Sequence, residues 1–243
     1  MRKLLFTVGI ISVLASSCAA QNNGGSILKK ASDVLGSKSG QGSGLSTDEI
    51  IAGLKEALTL GAQKSADKLS MADGFFKDAA VKVLMPEEAK KVESKLRAIG
   101  MGKLVDDAIL SMNRAAEEAS KSAAPIFANA VKSMSVQDAL GILRGADTAA
   151  TGYLRKSTSA QLTASFRPVI EQALQKTGAT KYWKDVFDTY NKFSLKPINS
   201  DLTGFVTDRA MSGIFYYVAD EEKKIRKDPA ARATEILKKV FGN

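Results

Sequence analysis

Leu45-Ser46-Thr47-Asp48-Glu49-Ile50 is the stretch whose reading decides the fold. Ser46 and Glu49 stand three apart, the spacing at which each side chain satisfies the other's backbone N–H at a helix start, and Leu45 with Ile50 has the spacing of a hydrophobic staple. Ile50, Ile51, Leu54, Leu58, Ala62 and Leu69 then recur at helical period, so a helix is specified here at its start and along its face.

C-terminal to that helix the same grammar repeats. Asp73-Gly74 marks a turn, and Val81-Lys82-Val83-Leu84-Met85 alternates well enough for one short extended piece covering an edge of the core. Pro86 with Glu87 and Glu88 opens a helix carrying Ala89, Val92, Leu96 and Ile99, closed by Gly100. The next helix runs from about Lys103 to Ser122, and Pro125 opens another through Phe127 and Val131. Ser135 with Asp138 caps a short helix that Gly145 ends. Thr158 with Gln161 has the capping-box spacing again, ahead of Leu162 and Phe166, and Pro168 is expected to kink or restart that helix.

Thr180 is read as the cap of a helix with the aromatic stripe Tyr182, Trp183, Phe187 and Tyr190, a pattern that serves a core face more often than a ligand platform. Leu202 to Val218 forms a long apolar helix that turns charged from Asp220, and Asp228-Pro229 introduces a last amphipathic one. The reading is an all-α, multi-helix globular bundle of short helices over 45–243, a single domain with at most one extended segment near 81–85.

N-terminal to Leu45 the chain changes character. Arg2 and Lys3 precede an apolar run from Leu4 to Leu14, short of the roughly 20 residues a spanning helix needs. Leu14-Ala15-Ser16-Ser17-Cys18 follows, similar to a bacterial lipobox, although Ala15 fills the place where Leu is commonest. Residues 1–17 are thus expected to be a lipoprotein signal peptide, with acylation of Cys18, the one cysteine. The membrane is then a partner through acylated Cys18, and two or three acyl chains make that attachment stable where one would be marginal. Residues 18–44 read as a Ser/Gly-rich tether with a short amphipathic segment at 27–35, which either lies on the bilayer or folds back on the domain. The absence of Asp right after Cys18 favours the outer membrane, facing the periplasm.

Composition narrows the chemistry further. Hydrophobic residues at 44% and charged residues at 25% are those of a folding domain and not of a disordered tail. The formal charge of +9 suits solubility or anionic envelope polymers and lipid headgroups, and for an exported chain no nucleic acid is expected. There is no histidine, which excludes Ser-His-Asp and Cys-His triads and imidazole-based zinc sites. No metal-ligand spacing or phosphate loop is present, so neither metal nor cofactor is expected.

Three polar groups are candidate sites. Asn113, Arg114 and Glu117 share a helix face, either an arginine-clamped carboxylate or a surface ion-pair ladder. Asp147 stands before Thr148, Thr151 and Tyr153, where Asp147 is expected to cap a helix whose free N–H groups could otherwise meet an anion. Glu221, Glu222, Arg226 and Arg232 surround the junction of the last two helices, as an acid-base cluster or as a solvated charged face. An enzyme, such as a carboxylate-dependent hydrolase of an envelope polymer, would need Glu117, Asp147 and Glu221 buried together; a binder of a hydrophobic ligand would need a cavity lined by Trp183, Phe187 and Phe215. The leading expectation is a non-enzymatic binding or scaffold module with an envelope protein or anionic polymer as partner.

Gly53-Leu54-Lys55-Glu56-Ala57-Leu58, Asn113-Arg114-Ala115-Ala116-Glu117, Asp138-Ala139 with Ile142-Leu143, Ala149-Ala150-Thr151 with Tyr153, Phe166 with Pro168, and Glu221-Glu222 through Lys239-Val240-Phe241-Gly242 together resemble uncharacterised bacterial envelope proteins catalogued as domain of unknown function 4197. The resemblance covers essentially everything from Leu45 onward. It implies a helical exported domain and supplies no activity and no catalytic residues.

Overall fold

The computed structural model describes residues 46–192, 197, 199–228 and 238. Cys18, the tether, Arg232 and the last amphipathic helix lie outside the described residues. Helix α1, Thr47–Ser70, begins as its sequence dictates: Glu49 N–H donates to Ser46 Oγ at 3.3 Å, and Ser46 N–H donates back to Glu49 Oε2 at 2.7 Å. Seven further α-helices follow among the described residues: α2 Lys90–Ala98, α3 Gly102–Ser120, α4 Ala123–Lys132, α5 Val136–Arg144, α6 Ala149–Lys176, α7 Ala179–Asn191 and α8 Leu202–Lys227. A single 3-10 turn, Glu87–Ala89, precedes α2. There is no strand among the described residues.

Helices α3, α6 and α8 pack on one another, and α1 lies against α3, α4 and α8. Each buries one face: Val105, Met112, Ala115 and Ala119 from α3, Leu154, Leu162, Phe166 and Ile170 from α6, and Val206, Ala210, Ile214 and Phe215 from α8. Alanines on α3 let its neighbours approach closely, which is how one helix serves three partners. The smaller α2 packs against α3 and buries none of its own residues.

Pro125 lies in the first turn of α4 and does not open it, and two further boundaries differ from their sequence reading at Thr158 and Thr180. Thr158 starts no helix; its hydroxyl donates to the Leu154 carbonyl at 2.6 Å, a mid-helix bond, and α6 continues for 28 residues through Pro168. Proline is tolerated because it sits on the exposed face, where water can reach the Ala164 carbonyl it leaves unbonded. Helix α7 begins at Ala179 behind Gly178, whose φ of 72° favours glycine, so Thr180 lies in the first turn and is not the cap.

Residues 71–86 cross the bundle without regular structure, and their alternation is kept: Val81, Val83 and Met85 are buried while Leu84 is exposed. Phe75 enters the core beside Gly213, where a Cβ would stand 2.6 Å from the ring. Burying a phenyl ring fully contributes roughly 1.5–3 kcal/mol. At Gly74 a Cβ would lie 2.5 Å from the Lys68 carbonyl oxygen, so the turn that delivers Phe75 requires glycine.

Candidate functional site

Asn113 and Glu117, one turn apart on the buried face of α3, hold the 71–86 crossing in place. Val83 N–H donates to Asn113 Oδ1 at 2.9 Å, and Asn113 Nδ2 donates to the carbonyls of Val83 at 2.8 Å and Ile109 at 2.7 Å. Glu117 Oε1 accepts the Phe75 and Phe76 N–H groups at 3.1 and 3.2 Å, and its Oε2 takes Arg114 at 2.7 Å. Arg114 reaches on to Asp73 at 2.7 Å, and the Glu117 and Asp73 hydrogen bonds raise its pKa. Lys77 and then Arg114 hold the Asp73 carboxyl below the usual carboxylate range. Asn113 and Glu117 are buried while Arg114 and Asp73 reach solvent, and the work of the two buried side chains is to satisfy the backbone of an irregular segment.

The second group is built the same way. Helix α6 starts at Thr148, which makes no side-chain cap, and Asp147 is turned outward to Lys227 at 2.5 Å. That ion pair lowers the Asp147 pKa. The cap comes from α8: Glu222, 5% exposed, accepts Ala150 N–H at 2.9 Å, Thr151 N–H at 2.8 Å and the Thr151 hydroxyl at 2.8 Å. Arg226 closes the arrangement, donating to Glu222 Oε1 at 2.9 Å and to the Ile142 carbonyl at 2.8 Å. The anion at this helix N-terminus is therefore the protein's own. Glu221, adjacent in sequence, points away and pairs with Lys224 at 2.8 Å. Tyr153 donates to the Ala130 carbonyl at 3.3 Å, and burial, followed by the Asp138 charge, raises its pKa.

Glu117, Asp147 and Glu221 thus belong to three separate sets of partners, and the structure does not bring them together. No group of three potential metal-ligating side chains occurs among the described residues. None of the described helices is long and apolar enough to cross a membrane.

Among the described residues one groove of about 600 Å³ is polar, lined by Glu88, Arg167, Trp183, Asp201, Asp208 and Arg209, and two other concavities are apolar. Beneath α2, between α3 and α7, lies a cleft of about 190 Å³ whose wall is made by Met85, Val92, Leu96, Val105, Trp183 and Phe187. Asp107, Ser111 and Thr177 are its polar edge. Trp183 is 5% exposed, packs on Phe187 at 4.5 Å between ring centroids, and its Nε1–H has no acceptor. Phe215 takes no part; it meets Phe127 edge-on at 5.7 Å and lies under the Arg155 guanidinium. A second, more open groove of about 610 Å³ continues from the cleft, sharing Val92 and Leu96 and adding Lys91, Lys95, Ile99 and Tyr190.

The helical period of the sequence puts Trp183 and Phe187 on one face, whereas Val92 and Leu96 have the spacing of ordinary core positions. Their sequence signal was the short amphipathic helix itself, which is closed by glycine before it can reach a second neighbour. Among comparisons with known proteins, one family model, described as Protein of unknown function (DUF4197), matches residues 44–242. No curated protein matches the chain, and no solved structure does.

Proposed function

The chain belongs to the DUF4197 family of unknown function, and from that premise we propose that it is a lipid-anchored envelope protein, non-enzymatic, whose helical domain binds an apolar ligand in the cleft between α2, α3 and α7. The observation that carries this reading is the cleft walled by Trp183, Phe187, Val92 and Leu96, under a helix whose apolar residues Val92 and Leu96 are only partly buried. Concave, largely apolar sites with a few polar groups at the edge are where small ligands bind. A second support is the economy of the buried polar side chains: Asn113, Glu117 and Glu222 all hold backbone, and that leaves none of them for acid-base work. The address rests on the apolar run and Cys18.

The test uses the chain from residue 18 onward with Cys18→Ala, so that no acyl chain of its own competes. A neutral solvatochromic dye such as Nile red should bind saturably with a blue-shifted emission. Ala108→Phe, which fills the cleft wall, should abolish that signal while leaving the helical circular dichroism intact. Dye binding that survives Ala108→Phe unchanged would remove the cleft from the reading. The anchor is tested separately, by metabolic labelling with an alkyne fatty acid, which Cys18→Ala should abolish in the full-length chain.

A further inference from the structure

We propose that the occupant of the cleft is a single-chain amphiphile with an anionic headgroup, its alkyl chain against Trp183 and Phe187 and its head between Lys91 and Lys95. This rests on the binding reading above and names its ligand class. The size of the inner cleft argues for one chain: at about 190 Å³ it is comparable with the ~150 Å³ cavity that takes one benzene ring. Two lipid tails side by side do not fit. A chain leaving the cleft past Val92 and Leu96 enters the outer groove, whose lining holds two cations and no carboxylate.

Charge on α2 and the start of α3 is otherwise neutralised locally. Lys90 pairs with Glu87 at 2.7 Å, Arg97 with Glu93 at 3.0 Å and Asp106 at 2.8 Å, and Lys103 with Asp107 at 2.7 Å. Lys91 and Lys95 form no ion pair among the described residues, and they stand one helical turn apart on the groove side. An apolar slot that ends at two uncompensated ammonium groups matches a fatty-acid-like molecule in both polarity and order. Exposed Ile99 beyond them extends the apolar floor.

Trp183 is the one tryptophan of the chain and lines both the cleft and the polar groove, so its quenching is assigned to the cleft by its loss in Ala108→Phe. The probes are a bromine-labelled long-chain fatty acid, its methyl ester and the matching alkyltrimethylammonium, each kept below its micelle concentration, added to the residue 18–243 chain with Cys18→Ala. The acid should quench Trp183 saturably, the ester more weakly and the ammonium least. Reversing both lysines, Lys91→Glu with Lys95→Glu, should weaken the acid by about tenfold or more, leave the ester unchanged and bring the ammonium up to the acid's former rank. Both lysines are exposed, so the variant is expected to fold, and its circular dichroism checks this. Equal quenching by all three probes would overturn the headgroup assignment while leaving the apolar site standing. Absence of quenching by any of them would remove the site and the reading beneath it. Quenching that appears only with anionic lipid vesicles would overturn the single-chain ligand in favour of a membrane surface.

Discussion

Glu222 on α8 caps α6 in trans, its carboxylate accepting both the N–H and the hydroxyl of Thr151 at 2.8 Å across 71 residues of sequence. Arg226 then neutralises it from one turn further along α8. A buried carboxylate with this many donors ties three elements together, because Arg226 also reaches the end of α5 at Ile142. Glu222→Gln removes the charge that Arg226 pairs with but keeps the volume. Breaking one partner of a buried pair costs about 3–5 kcal/mol, and the amide oxygen of Gln keeps part of the cap, so a loss near about 3 kcal/mol is expected. Glu221→Gln, at the outward neighbour, should cost under about 1 kcal/mol. Urea melts of the two single variants check this, and equal losses would contradict it.

Asn113→Ala should destabilise the domain by about 2–4 kcal/mol, since it orphans both the N–H and the carbonyl of buried Val83. Hydrogen exchange separates this from a simple cavity effect. The Val83 amide should lose more protection than the α1 amides, whereas a generalised loosening would lower all of them equally. Asn113→Asp retains an acceptor for Val83 N–H yet sets a carboxylate against two carbonyls, so it should not rescue.

What was legible in the sequence is what is local. Ser46 with Glu49 and Ser135 with Asp138 close boxes within four residues, and both form as their spacing requires. Val81, Val83 and Met85 announced their burial by alternation alone. Thr158 and Gln161 show why the same spacing can mislead: in mid-helix a hydroxyl bonds back to the carbonyl four residues earlier, and nothing in the tetrad distinguishes the two cases. The cap on α6 was illegible for a different reason. Asp147 was the local candidate, but Lys227 draws it outward, and the group that does the capping is remote and adjacent to the acid that was singled out. The cleft was half legible, because a stripe such as Trp183 and Phe187 looks the same whether helix or ligand covers it.

Stability should be flat between about pH 5 and 8, fall below about pH 4 and fall again only above about pH 10. No histidine is present, and no other side chain has its ordinary value in that window. On the acid side Asp73, Asp138 and Asp147 are held low by Lys77 with Arg114, by Ser135 and by Lys227 respectively. A depressed carboxyl contributes fully above its unfolded value near ~3.9 and loses the contribution as pH falls through the folded one, so the melting temperature should drop below about pH 4. On the alkaline side Asp220 and Glu221 raise Lys224, whose contribution is full below its unfolded value near ~10.4 and is lost as pH rises past it. Melting curves from pH 2 to 11 test the profile; a step between pH 5 and 8 would contradict it.

Pro168→Ala should stabilise the protein. Proline in a helix interior is less favourable than alanine by about 3 kcal/mol, through the missing N–H and the clash with the preceding turn. Against that, alanine gives the unfolded chain more freedom, which returns up to about 1 kcal/mol. Pro168 is exposed and both its sequence neighbours at the core face, Phe166 and Ile170, are fully buried, so the substitution restores the bond to Ala164 without touching packed atoms. A net gain of about 2–3 kcal/mol follows, or roughly 4–12 °C in melting temperature for a domain of this size. Besides Thr177 at the cleft, α6 borders Trp183 through Thr163 and Arg167 in the polar groove, and because the substitution keeps those side chains in place Trp183 emission should not move. A lower melting temperature would mean that the bend at Pro168 is what lets α6 follow α3 and α8 over its whole length, and a shifted Trp183 emission would mean that the same bend sets the position of α7.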